Sequence, residues 1–201
     1  MFNEGLIGPQ NSPGDNQPTK ARMGRQGEQM GSELHPRYYE ETYRGIGFNL
    51  QTQGTATTTT AALATTWTGL GFANPAGSGV NAVLMKVSAC QFAVGAAATI
   101  GIMGGLGTIT STLTPQSRLI GSGAVSKMNG SAGATISTPT LISTFASVGS
   151  VATSSIPLVP GAFYDFEGSI IVPPGSFICT YTSIVTTTSL QFGFFWVEVP
   201  V

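Results

Sequence analysis

Asp165 and Glu167, in the stretch FYDFEGS, are the residues best spaced to do chemistry in this chain. Two apart on a strand, they share one face. Paired carboxylates serve as acid and base in glycosidases, and they also ligate calcium. Catalytic pairs, however, flank a substrate from different elements, whereas neighbours on one strand usually form a wet polar edge that meets solvent or a partner's Arg or Lys. The third acid beyond residue 45, Glu198, lies far along the chain. His35 is the only histidine, so any Ser–His or Cys–His catalyst must use it. Its place between Leu34 and Pro36, in a polar segment, points to capping or packing instead. Cys90 and Cys179 sit in strand-like runs without CxxC or Cys/His spacing, so zinc is not expected. They read as small buried hydrophobes, with no need of a disulfide in a chain this long. GIMGGLG at 101–107 matches no dinucleotide or phosphate loop, since no Lys follows. Tight turns and close backbone approach account for it better. The expectation is a protein that is not an enzyme and holds no metal or cofactor.

The elements that position these residues fall into two regions of different chemistry. Residues 1–45 hold five of the eight basic and six of the nine acidic side chains, leaving six charges for residues 46–201. Over the whole chain only 8% of residues are charged, where soluble domains average about 25%. The net charge of −1 argues against a nucleic-acid binder, which needs a basic footprint. Polarity comes from hydroxyls, and a surface with so little charge repulsion suits an assembly. Residues 1–25 are polar and hold no apolar run, so no signal peptide is expected. The uncharged stretch 92–107 contains five glycines and is short of the roughly 20 residues of a spanning helix, so no membrane partner is expected.

Residues 46–201 read as all-β. Turn signals recur at ANPAGSG (73–79), MGGLG (103–107), NGSAG (129–133), VPGA (159–162) and VPPG (172–175). Between them lie runs rich in Val, Ile, Thr, Phe and Tyr. Strands are predicted at 46–53, 64–70, 81–94, 97–103, 117–126, 140–147, 163–172, 176–184 and 190–199. TATTTTAALATT has a helical option at Ala61–Ala64, but its threonines favour extended chain. SIIVPPGSFICTYT reads as a hairpin, with Phe177, Cys179 and Tyr181 on one face and Ile178 breaking the alternation. The closing run SLQFGFFWVEVPV needs cover on both faces. Leu190, Phe192, Phe194 and Trp196 are assigned to a sandwich core, and Phe195, Val197 and Val199 to a subunit interface. The expected fold is a jelly-roll-like two-sheet β-sandwich (46–201) preceded by an extended N-terminal arm (1–45).

Up to Ser32 the arm is Gly, Pro, Asn, Gln and charge, a composition that does not fold alone. Ordering it costs roughly 1–2 kcal/mol per residue in backbone entropy, which its few apolar groups cannot offset. If it is ordered, it must therefore lie on something else. From Glu33 it gains anchors, with Leu34, Arg37, Tyr38, Tyr39, Tyr43 and Arg44 as the expected contacts to a partner. Tyr39 and Tyr43, four apart, suit one face of a helical turn begun by Pro36.

Four stretches resemble a family of tailed-bacteriophage virion proteins: SELHPRYYEETYRG (32–45), LATTWTGLGFANPAGSGVNAVLMKVSACQFAV (63–94), FYDFEGSIIVPPGSFICTYTS (163–183) and FFWVEVPV (194–201). They cover the end of the arm and about half of the domain, and residues 111–159 lie outside the resemblance. The family offers no motif with an assigned role, so no residue role carries over. The resemblance implies a structural protein located on the capsid surface of a virion. Its leading role would be a decoration or cement protein that binds the major capsid protein and stabilises the assembled head, self-associating as a homotrimer. The alternative is a receptor- or glycan-binding module of a head fibre or tail, with a site near Trp67 or Asp165.

Overall fold

The computed structural model describes residues 22–23, 29–30, 36–52, 63–91, 97–148, 162–184 and 190–201. The chain divides into two compact units, Met1–Glu40 and Glu41–Val201. In the first, β1 (Arg22–Met23) pairs antiparallel with β2 (Gln29–Met30). Among the described residues there is one short helix, α1 (Tyr39–Tyr43), which spans the division.

The second unit is built from β3 (Gly47–Gln51), β4 (Thr66–Asn74), β5 (Val80–Gln91), β6 (Ala98–Leu106), β7 (Gln116–Ser117), β8 (Asn129–Thr135), β9 (Thr140–Val148), β10 (Ala162–Val172), β11 (Ser176–Thr182) and β12 (Leu190–Pro200). These form two antiparallel five-stranded sheets. Sheet I has the order β10-β5-β12-β3-β7, and sheet II the order β8-β4-β11-β6-β9. Set aside the two strands β7 and β8, both inserted between β6 and β9. The remaining eight then pair first with eighth and third with sixth in sheet I, second with seventh and fourth with fifth in sheet II. That is the wrapped-hairpin order of a jelly roll. The all-β two-sheet sandwich expected from the sequence is the observed fold.

Alternation dictates what lies between the sheets. Phe48, Leu50, Leu84 and Val87 of sheet I meet Leu70, Phe72, Ile100, Ile102 and Ile178 of sheet II, all buried. Leu190, Phe192, Phe194 and Trp196 of β12 occupy the middle of this layer, as their spacing predicts. Phe72 stacks on Trp196 at 4.4 Å between centroids and meets Phe194 edge-on at 5.6 Å. Each such side chain contributes about 1.5–3 kcal/mol through burial. Asn74, fully buried, clasps the sheets at one end by donating to the carbonyls of Val80 and Val172.

A second apolar cluster covers the far face of sheet II. Trp67, Ala73, Met103, Phe177 and Cys179 project there, and Ile109 and Ile136 from the loops after β6 and β8 close over them. This explains Ile178: it does not break the pattern but faces the main core, while its neighbours face the second one.

Three expectations change. The strand predicted at 117–126 exists only as Gln116–Ser117; residues 118–126 form a loop. Serines hold that loop, with the Leu119 and Ala124 amides donating to Ser117 Oγ and Ser122 Oγ, and Gly121 and Gly123 adopt φ of 80° and 69°. Conversely, NGSAG is not a turn but the start of β8, and MGGLG is mostly the end of β6. Glycine serves close approach in both. A Cβ on Gly130 would stand 2.8 Å from Leu50 Cδ1, and one on Gly104 would stand 2.6 Å from the Phe177 carbonyl oxygen.

Candidate functional site

The expected partner contacts cluster around α1. The Tyr39 amide donates to the Pro36 carbonyl at 2.8 Å, so Pro36 stands at the start of the turn as its spacing predicts. The helix stops in a Schellman motif. Ile46 N–H donates to Glu41 C=O, Gly45 N–H to Thr42 C=O, and Gly45 takes φ of 71°. The motif hands the chain to β3 and keeps the helix to a little over one turn. Tyr39 and Tyr43 sit four apart on it, both exposed. Tyr38 is half-buried, and the Arg37 guanidinium lies 5.3 Å from its ring centroid. Arg37 and Arg44 are exposed. Leu34 and His35 lie outside the described residues.

On the outer side of β12 the three residues assigned to a subunit interface divide. Phe195 and Val197 are already buried by their own chain, and only Val199 is exposed. The Arg118 guanidinium covers the Phe195 ring at 4.4 Å from its centroid, and a Cβ on Gly47 would stand 3.7 Å from the same ring. The cover expected from a sister subunit is thus supplied for Phe195 by Arg118, which no strand pattern announces.

Asp165 and Glu167 do not share one regular strand face. Pairing of β10 with β5 shifts between Asp165 and Ile170, and Glu167 and Gly168 both take left-handed φ, 52° and 78°. Asp165 Oδ1 accepts the Glu167 amide at 2.9 Å, and Asp165 Oδ2 meets Lys86 Nζ at 3.5 Å. The carboxylate therefore organises a bulge and a cross-strand ion pair. Glu198 is buried. It accepts from the Ser126 hydroxyl, the Lys127 amide and the Trp196 indole N–H, and so pins the loop before β8 to the closing strand. Both cysteines are free. Cys179 is buried, which pushes its thiol far above the ordinary range, while Cys90 is exposed. Among the described residues no three His, Cys, Asp or Glu side chains gather as a metal site. Nor is any described helix long and apolar enough to cross a membrane.

No family model, curated protein or solved structure matches this chain.

Trp67 is buried in the second cluster with its indole N–H on the Thr180 carbonyl at 3.0 Å, so it offers no platform to a ligand. Within the jelly roll, the described aromatic groups that are exposed lie on the edge strand β10. Phe163 and Tyr164 are exposed on either side of the chain at Asp165. Tyr164 packs with Phe166 and Phe145 (centroids 4.6 and 5.6 Å away), closing the sandwich between β9 and β10.

Proposed function

We propose that the protein is a structural component of a tailed-bacteriophage virion: a decoration or cement protein that binds the major capsid protein on the assembled head and self-associates, as a homotrimer, on its surface. The observation that carries this reading is the pairing of a nearly charge-free jelly roll with a short helix segment that exposes Tyr39, Tyr43, Arg37 and Arg44. Aromatic rings give much contact area for little entropy lost, and arginines form charge-assisted bonds with carboxylates of a shell. A protein that binds the lattice and not its free subunits stabilises the lattice by mass action. Several copies held together multiply that effect. Co-sedimentation with empty heads, followed by heating, tests it. Heads carrying the protein should disrupt at a higher temperature than bare heads; an unchanged temperature at saturation contradicts the reading.

The exposed Phe163, on the same strand face as Asp165, favours a second reading, a glycan- or receptor-binding module of a fibre. A glycan array probed with the full chain decides for it if a ligand is captured and the capture is lost in Phe163→Ala.

A further inference from the structure

The jelly-roll unit is polarised from edge to edge. Sheet I ends at β7 on one side and at β10 on the other. At the β7 edge the serine-held loop 118–126 presents Ile120 and Val125, 97% and 77% exposed. Arg118 and Lys127, both exposed, flank it. At the opposite edge an apolar cleft of about 270 Å³ opens, lined by Leu106, Ile142, Ile170, Ile171, Phe177 and Ile178, with no charged residue in its wall. Leu106 at its mouth is 77% exposed. The exposed carboxylates Asp165 and Glu167 stand on β10, the same edge strand that supplies Ile170 and Ile171.

An apolar knob flanked by cations and an apolar cleft beside two carboxylates, of which Asp165 pairs with Lys86 of its own chain and Glu167 adds a further negative charge, thus occur on one unit, at edges that face away from each other. One copy cannot bring its own knob to its own cleft; a second copy can. A dry cavity of about 150 Å³ already accepts a benzene ring, so this cleft has room for a branched aliphatic side chain. Contacts of this unlike-to-unlike kind close into rings when the rotation allows.

We propose that Ile120 and Val125 of one copy seat in the Leu106–Ile142–Ile171 cleft of the next, so that the chain associates head to tail. This deepens the self-association in the proposed function and rests on that part of it, not on shell binding.

The test is sedimentation of the full chain, without shells, over a concentration series. Ile120→Asp and Ile142→Asp alter exposed side chains, so circular dichroism should not change, and the melting temperature, compared at a dilution where the wild type is monomeric, should not move. Each variant alone should sediment as a monomer where the wild type is oligomeric. Mixed in equal amounts, one variant supplies an intact cleft and the other an intact loop, and the mixture should give a dimer and nothing larger. If Ile142→Asp lowers the melting temperature, Leu106→Asp replaces it. A variant that keeps the wild-type mass, or a mixture that stays monomeric, overturns the head-to-tail contact while leaving self-association in place. A monomeric wild type overturns both. Loss or retention of shell binding does not bear on this readout.

Discussion

The first 45 residues carry eleven of the chain's 17 charges, and the 156 that follow carry six. The uses of those six are mostly internal. Lys86 and Asp165 pair across β5 and β10, Arg118 lies on the Phe195 ring, and Glu198 gathers three donors in a buried position. The jelly roll is therefore held by what lies between and behind its sheets, and its ions tie loops to strands. In the charged segment the reverse holds: the described part around α1 is a short helical turn with exposed tyrosines and arginines and no buried residue. One region is built around buried apolar layers; the other carries the exposed side chains proposed to meet a partner.

The sharpest way to break this contrast is at the centre of the sandwich. Phe194→Ala should cost roughly 3–5 kcal/mol, read by denaturant unfolding. Cys179 gives an independent signal. Its thiol is buried and raised, so the native protein should offer a thiol reagent Cys90 alone, and Cys179 should label only as the sandwich opens. Immediate labelling of both cysteines in the native wild type would contradict the second apolar cluster. Next in size is Glu198→Ala, which strands the Ser126, Lys127 and Trp196 donors. About 1–3 kcal/mol should be lost, with the loop before β8 exchanging its amide hydrogens faster. The smallest effect should come from Lys86→Ala. The pair is partly exposed, so its loss should cost at most about 1 kcal/mol. Molar salt should likewise leave the melting temperature nearly unchanged; a large fall would mean that ions matter more to the jelly roll than its composition implies.

Much of the fold was legible because period-two alternation survives wherever one sheet face meets the other. Leu190, Phe192, Phe194 and Trp196 needed nothing more. Legibility failed where cover comes from loops. Ile109 and Ile136 carry no periodic signal, so the second cluster was invisible and Ile178 looked like an error. Phe195 looked like an interface residue for the same reason, since Arg118 covers it from outside any strand pattern. Ile120 and Val125 carry β-branched side chains and so suggest a strand, yet they lie on a glycine- and serine-shaped loop. Gly130 suggests a turn because the residue that turns a chain also lets two elements touch. At the site, the spacing of Tyr39 and Tyr43 correctly gave a helical turn, whereas Asp165 and Glu167 were placed on one face only because a bulge has no signature in spacing.

The account turns on whether the charged segment does the anchoring. The direct measurement is binding to assembled empty heads by the full chain and by a Tyr38→Ala, Tyr39→Ala, Tyr43→Ala variant, each first shown to have the same circular dichroism and melting temperature. The account predicts that the wild type saturates the heads and that the variant is retained weakly or not at all. Equal decoration of heads by the two proteins would contradict it, and the tyrosines would then have no part in holding this protein to a shell.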